Sequence, residues 1–93
     1  METAVYIMAS CYQGKLYVGV TNNLVGRVRQ HKNNYRDGYT SRNRIYDLVF
    51  YEYIERFDEA IRRENLLKSS TREYKILLIE RSNPSWNDLA HEL

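Results

Sequence analysis

Residues 4–10 alternate, with Val5, Ile7 and Ala9 on one side and Tyr6, Met8 and Ser10 on the other, the pattern of a half-buried strand. Cys11-Tyr12-Gln13-Gly14 reads as a turn, and residues 15–20 alternate again, Leu16, Val18 and Val20 against Tyr17 and Gly19. A hairpin in which Ser10 meets Lys15 places Tyr6 opposite Gly19 and Met8 opposite Tyr17, so that Tyr6 and Tyr17 become diagonal neighbours on one face. Thr21-Asn22-Asn23 offers cap chemistry for a helix starting near Leu24, with an apolar stripe of Leu24 and Val28 and with Arg27 and His31 one turn apart beside it. Gly26 costs that helix about 1 kcal/mol relative to Ala.

Residues 33–44 are polar and contain Asp37-Gly38, a loop signal. Residues 46–54 are β-branched, aromatic and nearly continuous in apolar character, as in a strand covered on both faces. Asp58 is the expected cap of a second helix to about Ser69, with a stripe of Phe57, Ala60, Ile61 and Leu67 into which Glu64 falls. Ser70-Thr71-Arg72-Glu73 matches a capping box for a third helix through Leu77 and Leu78, which Pro84 ends; Trp86 and Leu89 are placed to pin the tail. The order β-β-α-β-α-α predicts an α+β fold: a small, three-stranded, mainly antiparallel sheet flanked by helices, with residues 1–93 as one domain.

Charge sharpens this picture. Residues 1–46 carry seven Lys/Arg against two acids, a net of +5, and residues 47–93 carry seven against ten, a net of −3. Six of the first-half bases lie within residues 27–44, a footprint that suits a phosphate-binding surface. No apolar run is long enough for a membrane span, no export signal is visible, and the single cysteine, Cys11, excludes an internal disulfide and a thiolate zinc site. The expected location is the cytoplasm.

Singly, the polar residues have ordinary explanations: strand tyrosines pack, helix histidines cap, bases are solvated. Glu64 is different, because a carboxylate on an inward stripe must be paired, protonated or metal-bound; Arg27 or a tyrosine hydroxyl would serve as a partner. Jointly, Val5-Tyr6, Tyr17-Val18-Gly19, Thr21, Leu24, Arg27, His31 and Arg63-Glu64 resemble the GIY-YIG nuclease family. The likeness is to its short stand-alone bacterial members, related to the N-terminal nuclease domain of the excision-repair incision subunit. It extends over about residues 4 to 89. Ala4-Val5-Tyr6 replaces the first motif and Tyr17-Val18-Gly19 the second, both keeping the tyrosine; Gly26 stands where a charged residue is common.

The resemblance implies that Tyr6 and Tyr17 surround the scissile phosphate, one helping to deprotonate the attacking water. It implies that Arg27 neutralises phosphoryl charge, that His31 hydrogen-bonds a tyrosine hydroxyl, and that Glu64 holds one divalent ion, Mg²⁺ with Mn²⁺ able to substitute. Gly19 and Thr21 would be motif residues of structural value. Tyr6 is the favoured base, on the argument that Gly19 opposite it leaves room for water and phosphate. The family's late asparagine is not assigned, since Asn83 lies far from Glu64 in sequence. These roles suit the chemistry: phosphodiester hydrolysis needs a Lewis acid, a charge clamp and a proton acceptor.

The implied function is a metal-dependent DNA endonuclease, structure-directed or weakly specific, in DNA repair or recombination. A protein partner or a dimer would supply specificity. Arg36, Arg42 and Arg44 are the expected DNA-backbone contacts, with Tyr35 and Tyr39 available for stacking. The rival readings are a non-catalytic nucleic-acid-binding module and a protein adaptor using the acidic half; neither needs Tyr6, Tyr17, Arg27, His31 and Glu64 together.

Overall fold

The computed structural model describes residues 2–33 and 43–93. Strands β1 (Ala4–Ala9), β2 (Leu16–Thr21) and β3 (Asp47–Tyr53) form one sheet in the order β2-β1-β3, antiparallel throughout. The hairpin register is the expected one: Ser10 N–H donates to the Lys15 carbonyl at 3.0 Å, Tyr6 lies opposite Gly19 and Met8 opposite Tyr17.

Burial is distributed differently from the sequence expectation. The strand read as half-buried, β1, is central, and all six of its residues are buried. Both its edges are paired and both its faces are covered. The strand read as doubly covered, β3, is an edge strand with only Leu48, Val49 and Phe50 buried. On one face, Val5, Ile7 and Ala9 pack against Ala60 and Leu67 of α2 (Phe57–Ser69), Leu78 and Ile79 of α3 (Arg72–Ser82), and Trp86. On the other, Ala4, Tyr6 and Met8 pack against Leu24 and Val28 of α1 (Leu24–Lys32), with Ile45 and Leu48. A register shift opposite Ile7/Met8 lets Val49 and Phe50 join the same cluster, as a β-bulge does.

The tail closes the edge of β3. Leu48 N–H donates to Asp88 Oδ1 at 3.1 Å, and Asn83 Nδ2 donates to the Val49 carbonyl at 3.0 Å, so side chains satisfy backbone groups that an edge strand leaves open. Trp86 enters one core cluster, while Leu89 and Ala90, in a short 3₁₀ turn (Leu89–Glu92), pack against the other.

The helix starts show local chemistry at work. Asn23 caps α1 by accepting from Gly26 N–H at 3.1 Å, and Thr21 Oγ1 accepts from Asn23 N–H at 3.0 Å. A Cβ on Gly26 would lie 2.5 Å from Asn23 Nδ2, so the glycine that weakens the helix also lets its cap close. Asp58 is not the cap of α2; Arg56 holds that position without a side-chain bond, and Asp58 sits in the first turn, where a carboxylate still favours the helix dipole. Thr71, not Ser70, caps α3, accepting from Tyr74 N–H at 3.1 Å. Ser70 is instead used to end α2, its hydroxyl donating to the Leu67 carbonyl at 2.6 Å. Phe57, expected on the inward stripe, is half exposed in the first turn. Among the described residues, no helix is long and apolar enough to cross a membrane.

Candidate active site

The site lies on the α1 side of the sheet. Gly19 is where it begins. A Cβ there would stand 2.5 Å from the Tyr6 hydroxyl oxygen and 2.6 Å from the ring carbon that carries it. The empty place opposite Tyr6 is therefore filled by the ring of Tyr6 itself, and does not hold open a space for water and phosphate. That removes the reason for favouring Tyr6 as the base.

The Tyr6 hydroxyl is buried between Arg27 and His31 of α1. Arg27 Nε donates to it at 3.3 Å, and His31 Nε2 lies 3.2 Å away. With Arg27 donating into the oxygen, the phenolic proton is left for an unprotonated His31 Nε2. Arg27 and His31 share this partner because positions four apart on a helix stack over one another. Burial pushes the Tyr6 phenol up to about 12; the Arg27 hydrogen bond opposes the rise, and the charges of Tyr17 and Glu64 add to it. The Arg27 guanidinium is held above its ordinary range, chiefly by its bond to Tyr6. Its Nη1 also donates to Gln30 Oε1 at 3.1 Å, so the group is positioned from two sides.

Tyr17 completes the cluster on β2. Its ring centroid is 6.2 Å from that of Tyr6 and 5.2 Å from that of His31, the diagonal contact the register predicted. Tyr17 is half-buried where Tyr6 is closed off, so it is the tyrosine that borders open space. His31 is buried, 5% exposed, behind both rings.

Glu64 comes from the other side of the sheet, on α2. Its side chain is only 14% exposed, and its carboxylate pairs with Lys68 Nζ at 3.2 Å. The partner is neither Arg27 nor a tyrosine, although an i,i+4 Glu–Lys pair was readable from the sequence. Its charge reaches the Tyr6 hydroxyl, which ties α2 electrostatically to the cluster. No group of three or more His, Cys, Asp or Glu able to hold a metal exists among the described residues. A closed all-protein cage is thus not what these residues offer. One nearly buried carboxylate whose existing partner is a cation suits a hard divalent ion that keeps waters and takes its remaining ligands from substrate.

The other expected positions separate. Thr21 supports the α1 cap. Arg44 is exposed, with φ of 55°. Arg36 and Arg42, with Tyr35, Asp37-Gly38 and Tyr39, lie outside the described residues. Asn83 is buried, and its amide donates to the carbonyls of Val49 and Asn87 and accepts from Asn87 N–H, a structural use. Sequence reasoning missed Gln30 and Lys68, and also Lys15, Arg72 and Lys75, which gather beside Tyr17.

A model of the GIY-YIG catalytic domain matches residues 2–76, a span that includes Tyr6, Tyr17, Arg27, His31 and Glu64. A UPF0213 protein of Clostridium perfringens is 40% identical over 75 residues, covering 81% of this chain and 80% of that one. A UPF0213 protein of Staphylococcus aureus is 37% identical over 80 residues, covering 86% and 98%. The solution NMR structure of a UPF0213 protein from Bacillus halodurans superposes with a TM-score of 0.56 at 28% identity, covering 89% of this chain and 87% of that one. Motif residues, strand order and these matches converge: the chain belongs to the GIY-YIG family and is similar to its bacterial UPF0213 proteins.

Proposed function

We propose that this protein is a DNA endonuclease that hydrolyses one phosphodiester with the help of a single divalent ion, Mg²⁺ or Mn²⁺. The observation that carries this reading is the buried Arg27–Tyr6–His31 hydrogen-bonded set with Tyr17 at its open side. Tyr17, bordering solvent, takes the proton of the attacking water as it passes its own hydroxyl proton on to solvent. Tyr6, buried and held protonated, fixes Arg27 and His31 relative to one another. Arg27 faces the charge that develops on the phosphoryl oxygens, a task that suits a planar guanidinium. Water oxygen bonds to phosphorus, the bond to the leaving oxygen breaks, and that oxygen takes a proton from solvent on departure. Glu64 would hold the cation, which supplies Lewis-acid neutralisation of the leaving oxygen when bound.

We further propose that the enzyme acts by DNA structure more than by base sequence, in repair or recombination, with a protein partner or second copy adding specificity. Supercoiled, branched and single-stranded DNA incubated with Mg²⁺, Mn²⁺ or EDTA tests the reading. Cleavage is expected with metal, none in EDTA, and none by Glu64→Gln, which should fold normally by circular dichroism. Full cleavage by Glu64→Gln, or by the wild type in EDTA, would falsify the single-carboxylate site. DNA binding without cleavage under every metal condition would instead identify a binding module on the same scaffold.

A further inference from the structure

Strand β2 is an edge of the sheet, and α2 packs beside it. A cleft of about 450 Å³ opens there, bordered by Tyr17 and by four cations: Lys15 of the hairpin, Lys68 at the end of α2, and Arg72 and Lys75 in the first turn of α3. Only Lys68 has a carboxylate partner among the described residues, namely Glu64. The other three bond to neutral acceptors. Lys15 Nζ donates to Asn43 Oδ1 at 2.6 Å, Arg72 Nη2 to the carbonyls of Gln13 and Gly14 at 2.6 Å each, and Lys75 Nζ to the Ser70 carbonyl at 3.0 Å.

A neutral acceptor fixes the position of a cation but does not cancel its charge. Like charges gathered around one cleft repel, and an anion that spans them relieves that repulsion. The cations are also held in place in advance, which lowers the entropy lost on binding. The cleft leads to the one tyrosine of the cluster that borders open space.

We propose that this cleft is the track for the sugar–phosphate backbone of the DNA strand to be cut, with Lys15, Arg72 and Lys75 binding phosphates next to the reacting one. The assignment rests on the nuclease reading above and adds where its substrate lies. It also moves the principal backbone contacts from the 27–44 segment to a surface built from the hairpin and the two later helices.

Fluorescence anisotropy of the full chain with a labelled single-stranded oligonucleotide, in EDTA to prevent turnover, tests it. Phosphate contacts on single strands contribute about 0.7 each to the slope of log affinity against log salt. Lys15→Gln, Arg72→Gln and Lys75→Gln should each lower the slope by about 0.7, and the triple variant by about 2.1. That corresponds to roughly 20-fold less loss of affinity between about 50 and 200 mM salt. Arg72 also secures the hairpin loop, so the Lys15 and Lys75 variants carry the result if Arg72→Gln loosens the fold. Wild-type affinity and slope in those two variants, with a fall in Arg44→Gln, would overturn the track while leaving a cleaving wild type still a nuclease. A wild type that neither binds nor cleaves overturns both.

Discussion

Strand β1 lends alternate residues to two faces that obey different rules. On the α2/α3 side, Val5, Ile7 and Ala9 belong to a buried cluster of aliphatic and aromatic side chains. On the α1 side, the same strand presents Tyr6 among Arg27, His31 and Tyr17, polar groups buried because each has a partner. No buried side-chain nitrogen or oxygen lacks a hydrogen-bond partner among the described residues. The difference shows how a 93-residue chain affords a polar site. One face supplies stability through packing, so the other can keep groups that packing alone would exclude.

The largest expected effect breaks the apolar face. Ile7→Ala should cost about 2–5 kcal/mol by urea denaturation, a large share of a small domain's stability, and Ile7→Val about 0.5–1.5. Cleavage per folded molecule should stay near wild type in Ile7→Val. A comparable fall in intrinsic rate would mean the faces are not separable.

On the polar face, Arg27→Ala should lower the single-turnover rate by about 10²–10³, the usual value of one preorganised donor at developing charge. Arg27→Lys should not restore it, because an ammonium cannot reproduce the bond to Tyr6 and a planar contact to phosphate together. Near-wild-type rates would make Arg27 a structural partner of Tyr6 and nothing more.

The two tyrosines should differ in kind. Tyr17→Phe should lose cleavage with little change in stability. Tyr6→Phe should cost about 1–3 kcal/mol, since it takes from Arg27 and His31 the hydroxyl they share. Stability should also depend on pH through Tyr6. Its folded pKa of about 12 lies above the ordinary value of 10.0, so the unfolded chain loses this proton first. The contribution is fully present below pH 10 and is lost as pH rises toward about 12, by about 2–3 kcal/mol in all. Denaturation curves across that window should show a fall that Tyr6→Phe diminishes. An active Tyr17→Phe beside an inactive Tyr6→Phe would reverse the proposed roles.

The smallest effect concerns the support of the polar face. Asn23→Ala removes the cap of the helix that carries Arg27 and His31, and thermal denaturation should register about 1 kcal/mol. A modest fall in rate should accompany it. Unchanged stability would show that packing of Leu24 and Val28 alone holds α1.

The sequence by itself determined the strands, the hairpin register and the partners within one helix. Period-two alternation around a short turn leaves one economical pairing, and this is why the meeting of Tyr6, Gly19 and Tyr17 was legible. Arg27 and His31 were legible because helical spacing is local. Which strand is central was not: Ala4–Ala9 alternates in character, yet both of its sides are apolar enough to bury, and only the order β2-β1-β3 covers them both. The use of the Gly19 space by Tyr6 itself depended on a ring orientation that no pattern encodes. The cationic cleft was hidden most completely. Charge summed along the chain made the second half net acidic, whereas the fold brings Lys68, Arg72 and Lys75 from that half to Lys15 of the first. Electrostatic potential follows distance in space, and tertiary structure alone sets that distance.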